Sequence, residues 1–313
     1  MLKQITIYVV LLIAMVSIEA IPANVRGSEN SDSERKAKVD RLIERLLVSK
    51  NSDALSMTLK SLRGVPINAK MLKRMKELLQ SKQYHPIINF CMRWDVAKVI
   101  GADPSDIFAK EKVLAIIESL KTVKQLPMAN DRFQYDWLGT CADNTYDHLT
   151  KALVEIKGAD KHLQEITNRV IGEPRMCVLI ARAHRGDASE KSELCNILKD
   201  PNNVTMTMMR CLGTAAFERI GTNDDLPFLR ELLRTDPIKV LNRGGPLLEM
   251  IDNKPINNTG ERAVIYEPQF DPGWARAEQA GNLFFPVRGR ANRVIEVIEK
   301  KNMEKQINKM PKE

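Results

Sequence analysis

The sequence predicts an all-α fold built from pairs of helices that stack side by side. Three observations predict it: a composition that suits helices, a self-similarity of 35 residues, and apolar residues at helical spacing along most of the chain. Only 5% of the 313 residues are aromatic, while Leu, Ile, Met, Lys and Glu are abundant, which favours helices over a β-sandwich. The net charge of +8 is spread along the chain, as is typical of a mildly basic surface.

The first 20 residues predict an export signal. Lys3 supplies the positive start, an apolar run follows from Ile5 to Ile18, and Ala20 or Ala23 could close a cleavage site. A retained membrane anchor is the weaker alternative because the run is short for a bilayer. Residues 21–34 are polar and predict a flexible linker. We therefore expect a mature chain outside the cytoplasm, periplasmic or secreted, with no membrane span.

Residues 35–172 predict helices of ordinary length joined by short connections. Ser33 and Asn68 are predicted N-caps, since their side chains can accept hydrogen bonds from the first turn. Gly64, Gly158 and Gly172 are predicted to end helices, because glycine tolerates the left-handed backbone found there. Between 126 and 144 the pattern weakens and predicts a loop or a short helix. We interpret 35–172 as degenerate helical repeats.

Residues 173–237 contain the clearest pattern, because this stretch consists of two similar copies in succession. Each copy reads as a helix, a glycine, a second helix and an Asp-Pro turn, at Asp200-Pro201 and Asp236-Pro237. A fixed self-similarity of this length is typical of a repeat architecture. A shift of 35 residues superposes these identical pairs: Arg175 and Arg210, Ala181 and Ala216, Gly186 and Gly221, Leu194 and Leu229, Leu198 and Leu233.

At these residues the chain resembles the HEAT-like repeat family in its short bacterial form. The resemblance rests on the segment 226–233, on the two Asp-Pro turns and on the matching arginine, alanine and glycine positions. It implies an α-solenoid, in which antiparallel helix pairs stack with a right-handed turn. It also implies a structural ladder between neighbouring repeats, formed by a turn aspartate and an early arginine. The corresponding residues are Arg175, Arg210, Asp200 and Asp236.

The C-terminal part departs from the repeat. Between 242 and 290 there are six glycines and five prolines, which predicts an irregular segment over 238–290. Phe270, Trp274, Phe284 and Phe285 favour a terminal cap that covers the end of the stack, with a binding loop as the alternative. Residues 291–313 predict a short helix and a tail.

No catalytic, metal or cofactor site is predicted. The five cysteines, Cys91, Cys141, Cys177, Cys195 and Cys211, lack the CxxC spacing of a zinc site. Free thiols are favoured over a Cys177–Cys211 disulfide, because equivalent helices pack about 8–10 Å apart and a disulfide needs Cα atoms within about 7 Å. The four histidines are scattered, and no glycine-rich phosphate loop occurs.

The sequence therefore favours an exported, non-catalytic binding or scaffold protein that holds a protein or peptide partner on the concave face of its stack. Arg182, Arg185, Thr214 and Glu218 are the candidate binding residues, because they lie off the apolar stripes of their helices. Two alternatives remain: a HEAT-fold enzyme of lyase or hydrolase type, and a binder of an anionic polymer. A nucleic-acid partner is disfavoured, because the basic C-terminal tail has no interleaved aromatics.

Overall fold

In the computed structural model the described residues are 30–123, 132–200, 207–237, 240–242, 250–251, 254–255, 263–265 and 283–307. The predicted export signal lies outside them. Twelve α-helices occur in this part of the chain, and we number them in order: α1 Asn30–Val48, α2 Ser52–Ser61, α3 Ala69–Gln80, α4 Pro86–Gly101, α5 Ala109–Thr122, α6 Arg132–Glu155, α7 Asp160–Thr167, α8 Gly172–His184, α9 Lys191–Lys199, α10 Thr207–Ile220, α11 Leu226–Thr235 and α12 Pro286–Ile307. The predicted all-α class is therefore right.

Residues 1–41 form one unit and residues 42–313 another. The described part of the first unit is the start of α1, where Arg41 Nε donates to the Ala37 carbonyl at 3.3 Å. Because α1 begins at Asn30, the predicted linker 21–34 includes its first turn. None of the described helices combines the length and the apolarity needed to cross a bilayer.

The helices of the second unit begin and end at local signals. Asn51 and Asn68 accept hydrogen bonds through their side chains from the amides of Ala54 and Met71, at 2.9 and 3.0 Å. The predicted cap at Asn68 is therefore confirmed, and each cap satisfies one of the amides that a helix start leaves unpaired. Gly158 follows α6 with a φ of +71°, where other residues would be strained.

The helices from α2 onward contact each other in two series. The even-numbered helices meet in chain order, from α2 with α4 to α10 with α12. Among the odd-numbered helices α3 meets α5, α5 meets α7, and α9 meets α11. Sequence neighbours such as α3 with α4, α7 with α8 and α11 with α12 join the two series. Leucine, isoleucine, valine and methionine fill the interior between them.

The repeat positions lie in that interior. Ala181 on α8 and Ala216 on α10 are both fully buried, on two helices that pack together. At Gly213 an added Cβ would lie 3.1 Å from Leu198 Cδ2, so glycine allows α9 and α10 to approach closely. The helix α6 also reaches α10, since the Thr150 hydroxyl lies 3.8 Å from the Met209 sulfur.

In the described part of the segment predicted as an irregular cap there are five short strands: β1 Val240–Asn242, β2 Met250–Ile251, β3 Lys254–Pro255, β4 Ala263–Ile265 and β5 Leu283–Phe284. They form an antiparallel sheet of order β4-β1-β5 and a separate β2–β3 pair. Phe270 and Trp274 lie outside the described residues.

The last helix is longer than the sequence predicted. We expected a short helix from 291, but α12 has 22 residues and begins at Pro286. Proline suits the first turn of a helix, where its missing amide costs nothing. The buried side chains of Val287, Ala291, Val294 and Ile298 line α12, which packs against α10 and α11. The helix α6 is also longer than predicted, since it begins at Arg132 within the weak segment 126–144.

Candidate functional site

The predicted ladder residue Arg210 lies in the interior. Its guanidinium forms an ion pair with the Asp236 carboxylate, and both side chains are almost completely buried. It also donates to the main-chain carbonyls of Leu198 at 2.9 Å and Asp200 at 3.4 Å. Arg210 therefore connects the end of α9 to the end of α11, with Asp200 contributing its main chain.

The equivalent arginine in the earlier copy, Arg175, is more exposed. It binds both carboxylate oxygens of Glu193, at 2.7 and 2.6 Å, and donates to the Thr167 carbonyl at 2.5 Å. Arg175 thus connects the end of α7 to the first turn of α9. The hydrogen bond from Arg175 holds the pKa of Glu193 below its usual value. Of the four predicted ladder residues, the structure brings Arg210, Asp200 and Asp236 together and places Arg175 with Glu193.

Two of the four predicted binding residues, Arg182 and Arg185, hold helix ends in place. Arg182 is buried, and its guanidinium donates to Asp187, to the Thr167 hydroxyl and to the Ser189 hydroxyl, at 2.9, 2.9 and 2.6 Å. Arg185 binds both oxygens of Asp160, at 2.6 and 2.8 Å, and donates to main-chain carbonyls at the end of α6. Their donors are therefore used within the fold.

The other two predicted binding residues also face neighbouring parts of the chain. Thr214 is fully buried, and its hydroxyl donates to the Arg210 carbonyl at 2.8 Å. Glu218 lies 3.7 Å from Arg290 and 3.4 Å from Arg293, both on α12. The prediction that these four residues form a free binding surface is wrong for Arg182 and Thr214, which are buried. Helical spacing places Arg182 and Thr214 off the apolar stripe of their own helices, but it does not show which neighbouring helix covers them.

A polar cluster that the sequence did not predict crosses α2, α4 and α6. We call it the Lys98 face and define it by these residues: Ser56, Lys60, Arg63, Trp94, Asp95, Lys98, Asp147, His148 and Lys151. Asp95 is largely buried at its centre. The Ser56 hydroxyl donates to Asp95 Oδ2 at 2.6 Å, and Arg63 lies 3.4 Å from Asp95 Oδ1.

On α6, the Lys98 face contains a second buried carboxylate. Asp147 Oδ2 accepts from Lys151 Nζ at 2.8 Å, one turn along the helix. Burial raises the pKa of Asp147, and Lys151 partly offsets that effect. Beside it, the Trp94 and His148 rings lie 5.5 Å apart, and the indole N–H donates to the Thr145 hydroxyl at 2.6 Å. The indole donor is therefore already used.

Lys98 differs from these paired groups. Among the residues that the structure describes, its ammonium has no hydrogen-bond or ion-pair partner, although the side chain is half-buried. Burial lowers the pKa of Lys98, as do the charges of Arg63, Lys60 and Lys151, while Asp95 opposes them. Burial and the cations Lys98, Lys151 and Arg63 lower the pKa of His148 to about 3, so this imidazole is neutral at physiological pH. The face thus carries four cations and two carboxylates.

Burial disfavours the reactive thiolate form at three of the described cysteines. All four are free thiols, as the sequence favoured for Cys177 and Cys211. Burial raises the pKa of Cys91 to about 11, of Cys177 to about 12 and of Cys195 to about 11. These thiols are protonated at neutral pH, whereas thiol nucleophiles react as thiolates. In the described ranges there is no group of three or more His, Cys, Asp or Glu side chains that could hold a metal ion.

One sequence signal could have indicated the Lys98 face. The helix α4 is apolar along most of its length, yet Asp95 and Lys98 stand three residues apart within it, which places both on one side. Comparison with protein-family models, with curated proteins and with solved structures finds no match to this chain.

Proposed function

We propose that the chain is a non-catalytic binding protein, a HEAT-like α-solenoid that holds a protein or peptide partner on its Lys98 face. The order in which even-numbered helices meet even-numbered ones supports the stacked arrangement. So does the equivalent placement of Arg175 and Arg210, each of which ties a helix end to the next hairpin. Export through residues 1–20 is part of the same proposal.

The Lys98 face carries the proposal. Three successive even-numbered helices contribute charged or polar side chains to it, in a stack whose interior is otherwise mainly apolar. Charged groups that are arranged across a surface select a complementary partner and guide its approach. The exposed Met57 side chain lies one turn from Lys60 on α2 and adds an apolar contact point.

A site-specific photo-crosslinker tests the proposal. It would replace Met57, which is 64% exposed, in the chain expressed in its own cells. The matched control replaces Lys161 on α7, whose side chain is 81% exposed. We expect one protein to crosslink from Met57 and not from Lys161, and its yield to fall when Lys98→Met is added. Equal crosslinking at both positions, or none at Met57 in a folded chain, would refute the docking surface.

Mass spectrometry of the mature chain tests the export proposal. The chain recovered from outside the cytoplasm should begin directly after Ala20 or Ala23, since these residues could close the cleavage site. An intact N-terminus in the cytoplasmic fraction would contradict it.

A further inference from the structure

We infer that the Lys98 face binds an acidic peptide segment of its partner, with a carboxylate of that segment hydrogen-bonded to Lys98 Nζ. This inference rests on the proposed docking surface and specifies the chemistry of its partner. It follows from how the charges of the face are already paired, from the position of Lys98 and from apolar side chains on α2 and α4.

The carboxylates of the face are already engaged. Asp95 accepts from Ser56 through one oxygen and meets Arg63 through the other. Asp147 accepts from Lys151. Lys98 has no hydrogen-bonded or ion-paired carboxylate among the described residues, and its electrostatic neighbours are three cations, Lys60, Arg63 and Lys151, and the two carboxylates that are already paired. An incoming carboxylate would relieve this repulsion, whereas an incoming cation would increase it.

The position of Lys98 strengthens that preference. Its side chain is half-buried, so a charge-assisted hydrogen bond to its ammonium forms in a less polar setting than at a fully exposed lysine. The lowered pKa of Lys98 has the same origin, because burial and neighbouring cations both disfavour the charged form. His148 adds no positive charge at physiological pH, since its pKa lies near 3.

The apolar side chains favour a peptide over a polyphosphate. Met57 is exposed on α2, and the ring of Trp94 is half-buried on α4 with its N–H already bonded to Thr145. Such surfaces contact aliphatic side chains, which a peptide can supply between its carboxylates and a polyphosphate cannot. We therefore expect the partner segment to alternate acidic and apolar residues.

Fluorescence anisotropy with a labelled peptide of alternating Glu and Leu tests the inference on the purified chain. Lys98→Met keeps the aliphatic stem and removes the charge, and we expect it to weaken binding by about tenfold or more, since charge-assisted hydrogen bonds are among the strong ones. Lys98→Arg should retain binding. The control Lys161→Met changes an exposed lysine on α7 and should bind as the wild type does. Raising NaCl from about 50 to about 300 mM should weaken binding through screening.

The outcomes separate this inference from the proposed function. Equal binding by the wild type and Lys98→Met, with unchanged circular dichroism, overturns the role of Lys98. Equally tight binding of a peptide of alternating Lys and Leu would show that the partner need not be acidic. A polyphosphate that displaces the Glu–Leu peptide, at a lower concentration of negative charges than the peptide itself needs, would show that the partner need not be a peptide. Either result overturns the inference of an acidic peptide. If the Glu–Leu peptide fails to bind while the Met57 crosslink persists, the inference is wrong and the docking surface stands. If both fail, both proposals fall.

Discussion

Replacing Arg210 by methionine should strongly destabilise the chain. The side chains of Arg210 and Asp236 are 1% and 0% exposed, and Arg210 Nε lies 3.1 Å from the carboxylate. Removing one partner of a buried ion pair costs about 3–5 kcal/mol, because the remaining buried charge has lost its counterion. The carbonyls of Leu198 and Asp200 lose a donor as well. Since a domain is stable by only about 5–15 kcal/mol, this is a large fraction of the free energy of unfolding.

The matched control is Arg175→Met, at the equivalent position of the earlier copy. The side chains of Arg175 and Glu193 are 24% and 33% exposed, and exposed ion pairs contribute about 0–1 kcal/mol. The lost hydrogen bond to Thr167 adds about 1 kcal/mol. We therefore expect Arg175→Met to cost about 1–2 kcal/mol, measured by urea unfolding followed by circular dichroism.

A second substitution tests the cause of the Arg210 effect. Adding Asp236→Asn to Arg210→Met removes the buried charge and should restore about 1–2 kcal/mol of the free energy of unfolding. If the added change lowers stability further, the loss does not come from an uncompensated carboxylate. Equal costs for Arg210→Met and Arg175→Met would refute the argument from burial.

Three further predictions concern packing, protonation and thiol reactivity. Gly221→Ala should lower the free energy of unfolding by about 1–3 kcal/mol, since the new Cβ would lie 2.6 Å from Ile298 Cδ1; an unchanged urea midpoint would contradict this. His148 has a folded pKa of about 3, below its unfolded value of about 6.5, so its contribution to stability should be complete above pH 6.5 and lost as the pH falls toward 3. Thermal melts of His148→Gln should therefore depend less on pH than those of the wild type in this window. Cys91 and Cys177, with pKa values of about 11 and 12, should react with iodoacetamide at pH 8 only in urea; peptide mapping that finds either of these two thiols rapidly labelled in the folded chain would contradict this.

The helices of 173–237 could be predicted because their signals are local. Glycine after the first helix and an Asp-Pro turn after the second depend on a few neighbouring residues, and the observed helices α8 to α11 follow that order. Gly186 has a φ of +92°, in the region where glycine is favoured. The same local reasoning erred at the last helix, because prolines were counted toward an irregular segment up to residue 290, whereas proline also suits a helix start and the helix begins at Pro286.

The site could not be predicted in the same way, because it depends on which helices meet. Thr214 lies off the apolar stripe in sequence, yet it is fully buried in the packed helices. Arg185 is predicted to face a partner, but its guanidinium donates to two main-chain carbonyls at the end of α6, 29 and 31 residues earlier in the chain. Lys98 stands in an apolar helix, and only the approach of α2 and α6 surrounds it with cations.

The Lys98 face combines accessible cations with buried carboxylates. Thr150 on α6 reaches Met209 on α10, and Cys177 on α8 is fully buried. Before α8, two cations of the Lys98 face remain accessible. Lys151 and Arg63 are 48% and 39% exposed, although each holds a buried aspartate. Two cations of the Lys98 face are thus held at the surface by internal carboxylates, whereas Lys98 has no ion-pair partner among the described residues and is the cation on which we propose that a partner carboxylate lies.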